Sequence, residues 1–246
     1  MRRRGGWAAL TAALTGAAIL AGAPGVGVVI VLLGFVLLTR GLAGATLVLF
    51  AVPTAALLLW AASRAGLSLA DLGLDRSSVP GGLLWSAAIA VTVLVGLVVA
   101  ARWHRTRPLF EDARHDGDTG RAVAGKVLVD VPLGTVLVEE LAFRGVVLAM
   151  LLGIAPTWVA VAVSSVLFGC WHVGAALEDH AANAAPQGRA GTVLRTVLFT
   201  GAAGVVFCLL RLVSGSLLPP VALHWLVNGG GLVAAWTLRV GRSAPT

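Results

Sequence analysis

The sequence Val138-Glu139-Glu140-Leu141-Ala142-Phe143-Arg144-Gly145 places two carboxylates and an arginine inside an apolar run from about Val127 to Leu152. Each ionisable group at the centre of a hydrophobic helix costs roughly 2.5–3.5 kcal/mol on insertion scales. In a helix, Glu140 and Arg144 share a face and can pair, whereas Glu139 points about 100° away. Either the three groups form a buried ion pair that fixes helix packing, or Glu139 is a functional carboxylate held by its neighbours.

Composition places the whole chain in a membrane. The 246 residues are 58% hydrophobic and 12% charged, with a mean hydropathy of +0.94, whereas soluble domains carry about 25% charged residues. Cys170 and Cys208 lie in apolar segments without CxxC spacing, which argues against a disulfide framework or a cysteine metal site. We therefore predict an all-α polytopic membrane helix bundle that forms one domain over residues 1–246.

Apolar runs near the length that a bilayer requires, about 17–25 residues, predict eight transmembrane helices. They lie at residues 7–22, 24–39, 42–62, 81–101, 128–153, 155–176, 193–213 and 217–238. The first two are short and separated only by Ala23-Pro24-Gly25, so residues 7–39 form either a tight hairpin or one broken segment. The connection 63–80 mixes leucines with polar residues and is expected to be an amphipathic segment at the membrane interface.

The distribution of positive charge predicts the orientation. With eight spans and a cytoplasmic N-terminus, the other side receives only Arg64, Arg76 and Arg211, and Arg144 lies within the membrane. The remaining basic residues fall on the cytoplasmic side: Arg2, Arg3, Arg4, Arg40, Arg102, Arg105, Arg107, Arg114, Arg121, Lys126, Arg189, Arg195, Arg239 and Arg242. This asymmetry follows the positive-inside rule. The net charge of +7 therefore reflects topology and not a nucleic-acid partner, and both termini are expected in the cytoplasm.

Two further spans carry polar residues at one-turn spacing. Phe168 and His172 are four residues apart near the end of the sixth span, and His224 and Asn228 are four apart in the eighth. Each pair therefore shares a helix face. Neutral histidine is both a good metal ligand and a good general base. A glutamate, two histidines and an asparagine can together activate a water molecule and stabilise an oxyanion.

The three motifs read Glu139-Glu140-x-x-x-Arg144, Phe168-x-x-x-His172 and His224-x-x-x-Asn228. In their order and hydrophobic setting they resemble the motifs of the CPBP family of intramembrane proteases. That family includes the CAAX prenyl endopeptidases of the Rce1 type and the bacterial Abi, or bacteriocin-immunity, proteins. The resemblance covers residues 120–235, so we expect a motif-bearing core at residues 120–238, preceded by N-terminal helices in residues 1–101.

The resemblance implies hydrolysis of a peptide bond inside, or at the edge of, the membrane. Glu139 would be the general base on the attacking water, and Glu140 is the alternative base. His172 and His224 would hold or polarise that water, and Asn228 would bind the developing oxyanion. Two further residues would order the site. Arg144 would pair with Glu140, and Phe168 would pack around the histidine.

A divalent metal is an open question at this stage. Two histidines and a carboxylate suit a catalytic zinc ion with an open position, and the candidate ligands are Glu139, His172 and His224. The same three residues also suit a metal-free mechanism in which a carboxylate base acts beside histidine polarisers.

Depth estimates support a common site only in part. At a rise of 1.5 Å per residue, Glu139 lies about 10–17 Å from the cytoplasmic end of its span, whereas His224 lies roughly 20 Å from that end. His172 is nearer the cytoplasmic end. A shared level therefore requires kinked or offset helices.

Three functions compete. The first is an endopeptidase that cleaves a membrane-associated peptide or protein in the lipid bilayer, and the complete set of polar residues favours it. The second is a non-proteolytic immunity or scaffold protein on the same fold. The third is a transporter, which leaves the paired histidines unexplained and for which no internal repeat is present. One lysine against 17 arginines suggests a GC-rich bacterial genome, and hence a bacterial cell membrane. In that setting a bacteriocin-type peptide or a membrane signalling protein is a more suitable substrate than a prenylated one.

Overall fold

The protein is described by a computed structural model that covers residues 2–39, 41–42, 44–110, 117–183 and 188–243. Arg40 and Arg114, which the charge pattern assigns to the cytoplasmic side, lie outside these ranges. The described residues form helices and turns and include no strand. The first four helices are α1 (Arg2–Leu20), α2 (Pro24–Thr39), α3 (Ala45–Arg64) and α4 (Val79–Arg102).

The second half of the chain begins with α5, which runs through residues 120–152. It joins five helical segments end to end, namely Gly120–Gly125, Lys126–Val136, Leu137–Glu140, Leu141–Val147 and Leu148–Leu152. The remaining helices are α6 (Thr157–Trp171), α7 (Val173–Asn183), α8 (Gly188–Ser214) and α9 (Leu218–Ser243). Short 3₁₀ turns lie at Arg76–Ser78 and Arg107–Phe110.

All eight predicted spans are helical, and the sixth is divided between α6 and α7 at His172. Within the described ranges, five helical stretches are long and apolar enough to cross a membrane. These are Ala45–Arg64, Arg76–Arg102, Thr157–Ala181, Gly188–Ser214 and Leu218–Gly241. The prediction of an all-α membrane bundle is confirmed.

Residues 7–39 form a hairpin of two helices. The chain turns at Gly22, whose φ of 79° lies in the left-handed region that favours glycine. Gly34 on α2 faces the Thr11 side chain on α1 so closely that a Cβ would collide with it. Small residues at such contacts let helices approach closely in a membrane. The structure thus favours two helices over one broken segment.

The connection between α3 and α4, expected to be an amphipathic segment at the membrane interface, packs against the bundle. Residues 65–75 form turns, and Leu72 is buried in the core of the bundle while Leu69 is exposed. The Gly73 carbonyl accepts a hydrogen bond from the Leu217 backbone N–H at 2.8 Å. Nη2 of Arg211 on α8 donates to the carbonyl of Asp71 at 2.8 Å. This loop therefore docks into the bundle, because its partners lie far away in the sequence.

The centre of the bundle is α5, whose backbone is irregular in two places. Lys126–Val136 and Leu141–Val147 are π-helical stretches, and such stretches occur frequently at functional sites. Pro132 accounts for the first, because proline lacks the N–H of a regular helix and its ring crowds the preceding turn. A hydrogen bond of 2.8 Å from the Ser164 hydroxyl to the Phe143 carbonyl ties α6 to the second. Together with the break at His172, these stretches supply the irregular helices that a common site requires.

Candidate active site

The two adjacent carboxylates lie in the short regular segment of α5 between its π-helical stretches. Glu139 is 5% exposed, Glu140 is fully buried and Arg144 is 1% exposed. Because burying unpaired charges is expensive, their partners determine what each group can do. The two carboxylates have different partners.

Glu140 is paired twice through one oxygen atom. Oε1 accepts a hydrogen bond from Arg144 Nη1 at 3.1 Å, which is the ion pair expected from their four-residue spacing. The same oxygen lies 2.7 Å from Nδ1 of His224. A carboxylate that accepts from one nitrogen of a histidine fixes the orientation of the ring. The geometry therefore places Glu140 behind His224, on the side of the ring away from Nε2.

Glu139 presents one bonded and one free oxygen. Oε1 accepts a hydrogen bond of 3.0 Å from the indole Nε1 of Trp171. Among the described residues, Oε2 has no hydrogen-bond partner, and it faces Nε2 of His172 at 3.9 Å and Nε2 of His224 at 3.8 Å. Oε2 of Glu140 is buried and without such a partner as well. What distinguishes Glu139 is therefore that its free oxygen faces both histidines.

The histidine tautomers follow from their hydrogen bonds. Nδ1 of His172 lies 2.8 Å from the Phe168 carbonyl, which can only accept, so this nitrogen carries the proton. Nδ1 of His224 faces the Glu140 carboxylate and is protonated for the same reason. A neutral imidazole with a proton on Nδ1 carries its lone pair on Nε2. Nε2 of each histidine therefore faces the free oxygen of Glu139.

This convergence provides a test of the metal hypothesis. As they stand, no three His, Cys, Asp or Glu side chains in the described ranges have metal-binding geometry. Two ligands that both lie 2.0–2.2 Å from a tetrahedral zinc ion are about 3.4 Å apart, slightly less than the 3.8 and 3.9 Å separations here. The donor types fit zinc, and the two separations from Glu139 would have to shorten by about 0.4–0.5 Å for these pairs to share one ion. The same donor types can also accept hydrogen bonds from a water molecule.

Aromatic side chains enclose the polar cluster. The ring of Phe168 meets the His172 ring edge-on at 4.6 Å between centroids, and the His224 ring edge-on at 6.0 Å. Phe207 stacks on His224 at 5.2 Å. Trp171 stacks on Phe35 of α2 at 6.1 Å. The phenyl rings cover part of each imidazole with apolar surface, which lowers the local dielectric and strengthens the electrostatic interactions between the polar groups.

Asn228 is the sequence-predicted residue that the structure does not bring into the cluster. It lies one turn after His224 on α9, but its side chain is exposed and makes no hydrogen bond within the described residues. The six others, namely Glu139, Glu140, Arg144, Phe168, His172 and His224, share one network. The sequence places Trp171 next to His172, where it would either line the cavity or only pack, but it does not predict the hydrogen bond from Trp171 to Glu139. The contacts of Phe207 were missed.

Comparison with known families covers this part of the chain. Residues 126–230 match the family model described as type II CAAX prenyl endopeptidase Rce1-like. No curated protein and no solved structure matches the chain. The apolar helices and the family match together make the chain an integral membrane protein. The matched segment carries all three motifs, which confirms the resemblance that they suggested, and we call residues 126–230 the Rce1-like region because they are similar to this family model.

Proposed function

We propose that the protein is an intramembrane endopeptidase that hydrolyses a peptide bond in a membrane-associated protein or peptide. One observation carries the proposal. Within the Rce1-like region, the free oxygen of Glu139 faces Nε2 of His172 at 3.9 Å and Nε2 of His224 at 3.8 Å, and it accepts no hydrogen bond from the described residues. This is the arrangement that a base needs to hold and deprotonate a water molecule.

In the proposed reaction, a water molecule donates one hydrogen bond to Oε2 of Glu139 and another to Nε2 of a histidine. As the water oxygen attacks the scissile carbonyl, its proton passes to Glu139, which later delivers it to the leaving amine. Arg144 and Glu140 keep His224 oriented through the two contacts described above. Asn228 is proposed as the oxyanion donor, and it would have to turn toward the substrate when the peptide binds.

Zinc is the second form of the proposal. Glu139, His172 and His224 would hold the ion, and zinc would polarise the carbonyl and lower the pKa of bound water to about 7. The orienting bonds to Nδ1 of each histidine suit this form, because metal-bound histidines commonly donate their other N–H to a carboxylate or a carbonyl. Both forms use the same residues and require the same tautomers.

Access to the site is proposed to pass His172. Its side chain is 19% exposed, compared with 7% for Glu139 and 6% for His224. His172 also lies where α6 ends and α7 begins, so the helix is interrupted at this residue. A peptide and a water molecule could reach Glu139 here without opening the rest of the bundle.

The experiment is cleavage of a membrane-peptide library by the purified protein in detergent, with products identified by mass spectrometry. Wild type is compared with Glu139→Gln, which keeps size and removes the base, and with Glu178→Gln, an exposed glutamate on α7. The proposal predicts cleavage by wild type and Glu178→Gln only. Cleavage by all three at equal rates, or by none, contradicts it, and the latter favours a non-proteolytic immunity or scaffold protein.

A chelator separates the two forms. Loss of cleavage after treatment with a zinc chelator, and recovery on adding zinc back, supports the metal form. Unchanged cleavage after prolonged chelation supports the metal-free form. Zinc content of the purified wild type, measured against Glu139→Gln and His224→Ala, provides a readout that does not depend on activity.

A further inference from the structure

We propose that Phe207 on α8, which lies outside all three motifs, is a positioning residue for His224 and Arg144. The inference rests on the proposed function, because it assigns Phe207 a part in orienting the residues that would activate water. Phe207 is buried. Its ring packs against the histidine and the arginine of the polar network, and it meets the Phe168 ring edge-on at 6.1 Å between centroids.

The first contact concerns Arg144. This guanidinium is inside the bundle, and its Nε and Nη2 atoms have no hydrogen-bond partner. Its Cζ atom lies 3.9 Å from the ring centroid of Phe168 and 4.6 Å from that of Phe207. Cations over aromatic faces are attracted by the ring quadrupole, most strongly where water is excluded. The two phenyl faces therefore take the place of the missing hydrogen-bond acceptors.

The second contact concerns His224. The rings of Phe207 and His224 are stacked, with centroids 5.2 Å apart and planes inclined by 20°. The hydrogen bond from Nδ1 to Glu140 fixes one direction in the imidazole ring but allows the ring to rotate about that bond. Stacking against Phe207 fixes the plane of the ring. The two restraints together determine where Nε2 points, and Nε2 is the atom that faces Glu139.

The contacts close into a cycle. Phe207 contacts Arg144, Arg144 pairs with Glu140, Glu140 accepts from His224, and His224 stacks on Phe207. A leucine at position 207 would fill similar space but would offer no π face to either neighbour. Its replacement should therefore disturb the orientation of His224 even where the bundle still folds.

The test compares kcat and KM of Phe207→Leu, Phe207→Tyr and the matched control Phe199→Leu, a residue of the same helix that is 71% exposed. We expect Phe207→Leu to lower kcat by about 10–100-fold, because misplacing a group at the reacting centre by about 1 Å can cost 10²-fold, with KM within about twofold of wild type. Phe207→Tyr keeps the ring and should retain most of the activity. Equal kcat values for Phe207→Leu and wild type, or equal losses for leucine and tyrosine, would overturn the proposal.

A second measurement separates this inference from the proposed function. In a double-mutant cycle of thermal unfolding, Phe207→Leu and Arg144→Met should be coupled, so that the double variant loses less stability than the two single losses added together. This coupling is expected even if wild type cleaves no peptide, in which case only the protease proposal fails. Additive losses of stability would contradict the contact between Phe207 and Arg144. If Phe207→Leu does not fold, Phe207→Met takes its place in both measurements.

Discussion

Replacing Arg144 by methionine would remove the cation that neutralises Glu140 inside the bundle. Both side chains are fully buried, and Nη1 of Arg144 lies 3.1 Å from Oε1 of Glu140. Methionine fills much of the same volume, so the perturbation is mainly electrostatic. The carboxylate of Glu140 would keep His224 as its only partner.

The expected cost follows from these contacts. Breaking a buried pair by removing one partner typically costs about 3–5 kcal/mol, because an uncompensated charge remains buried. Part of this cost is a hydrogen bond between charged groups, worth about 1.5–3 kcal/mol. For a chain of this length, 1 kcal/mol shifts Tm by about 2–4 °C, so Arg144→Met should lower Tm by roughly 6–20 °C.

The assay is thermal unfolding in detergent of wild type, Arg144→Met and the double variant Arg144→Met/Glu140→Gln. Because the second substitution removes the orphaned charge, the double variant should recover part of the lost Tm. Lys126→Met is the control, since the Lys126–Asp118 pair has side chains 29% and 18% exposed and exposed pairs contribute about 0–1 kcal/mol.

Two results would refute this reasoning. One is a Tm loss for Arg144→Met no larger than that of Lys126→Met, which would mean that the buried pair contributes no more than a partly exposed one. The other is a double variant less stable than Arg144→Met alone, which would show that Glu140 is not destabilised by the loss of its cation.

Two further predictions concern the loop between α3 and α4. Gly73→Ala should lower Tm more than Gly66→Ala. Both glycines have positive φ, at 72° and 79°, but only at Gly73 would a Cβ collide with the Arg211 side chain. Equal losses of Tm would contradict the close packing of Arg211 against Gly73. Hydrogen bonds from Ser68 hold the pKa of Asp71 below its ordinary value of 3.8, so the stability that they contribute is present above that value and lost as the pH falls below it. Asp71→Asn should therefore reduce the fall in Tm that wild type shows on acidification, and the Tm difference between the two proteins should be constant above about pH 5. A Tm difference that changes between pH 5 and 8 would contradict the lowered pKa of Asp71.

The sequence predicts the polar pairs within one helix well, because helical spacing is local. The ion pair of Glu140 and Arg144 follows from a four-residue separation, and it is present at 3.1 Å. The convergence of His172 and His224 on Glu139 does not follow from an ideal rise per residue. It depends on the irregular backbone of α5 and the break after α6. Only the first π-helical stretch of α5 has a local cause, Pro132.

Contacts between distant segments explain what the sequence does not reveal. Leu72 is buried because the carbonyls of the residues on either side of it accept hydrogen bonds from Arg211 and Leu217, which lie about 140 residues away along the chain. The local amphipathic pattern does not reveal these contacts. Phe207 carries no signal at all in the sequence. In a membrane helix the faces toward lipid and toward protein are both apolar, and hydrophobic periodicity cannot distinguish a phenylalanine that packs on the site from one that faces lipid.

The role of Glu139 in activating water is tested most simply by kcat for one identified peptide substrate. Wild type and Glu139→Gln are compared after both are shown to be folded, with Glu178→Gln as control. A general base contributes about 10²–10⁴-fold to rate, so we expect Glu139→Gln to lower kcat by at least 100-fold while KM changes little. Glu178→Gln should match wild type. A kcat for Glu139→Gln within threefold of wild type would show that this carboxylate does not activate the attacking water and would contradict the account.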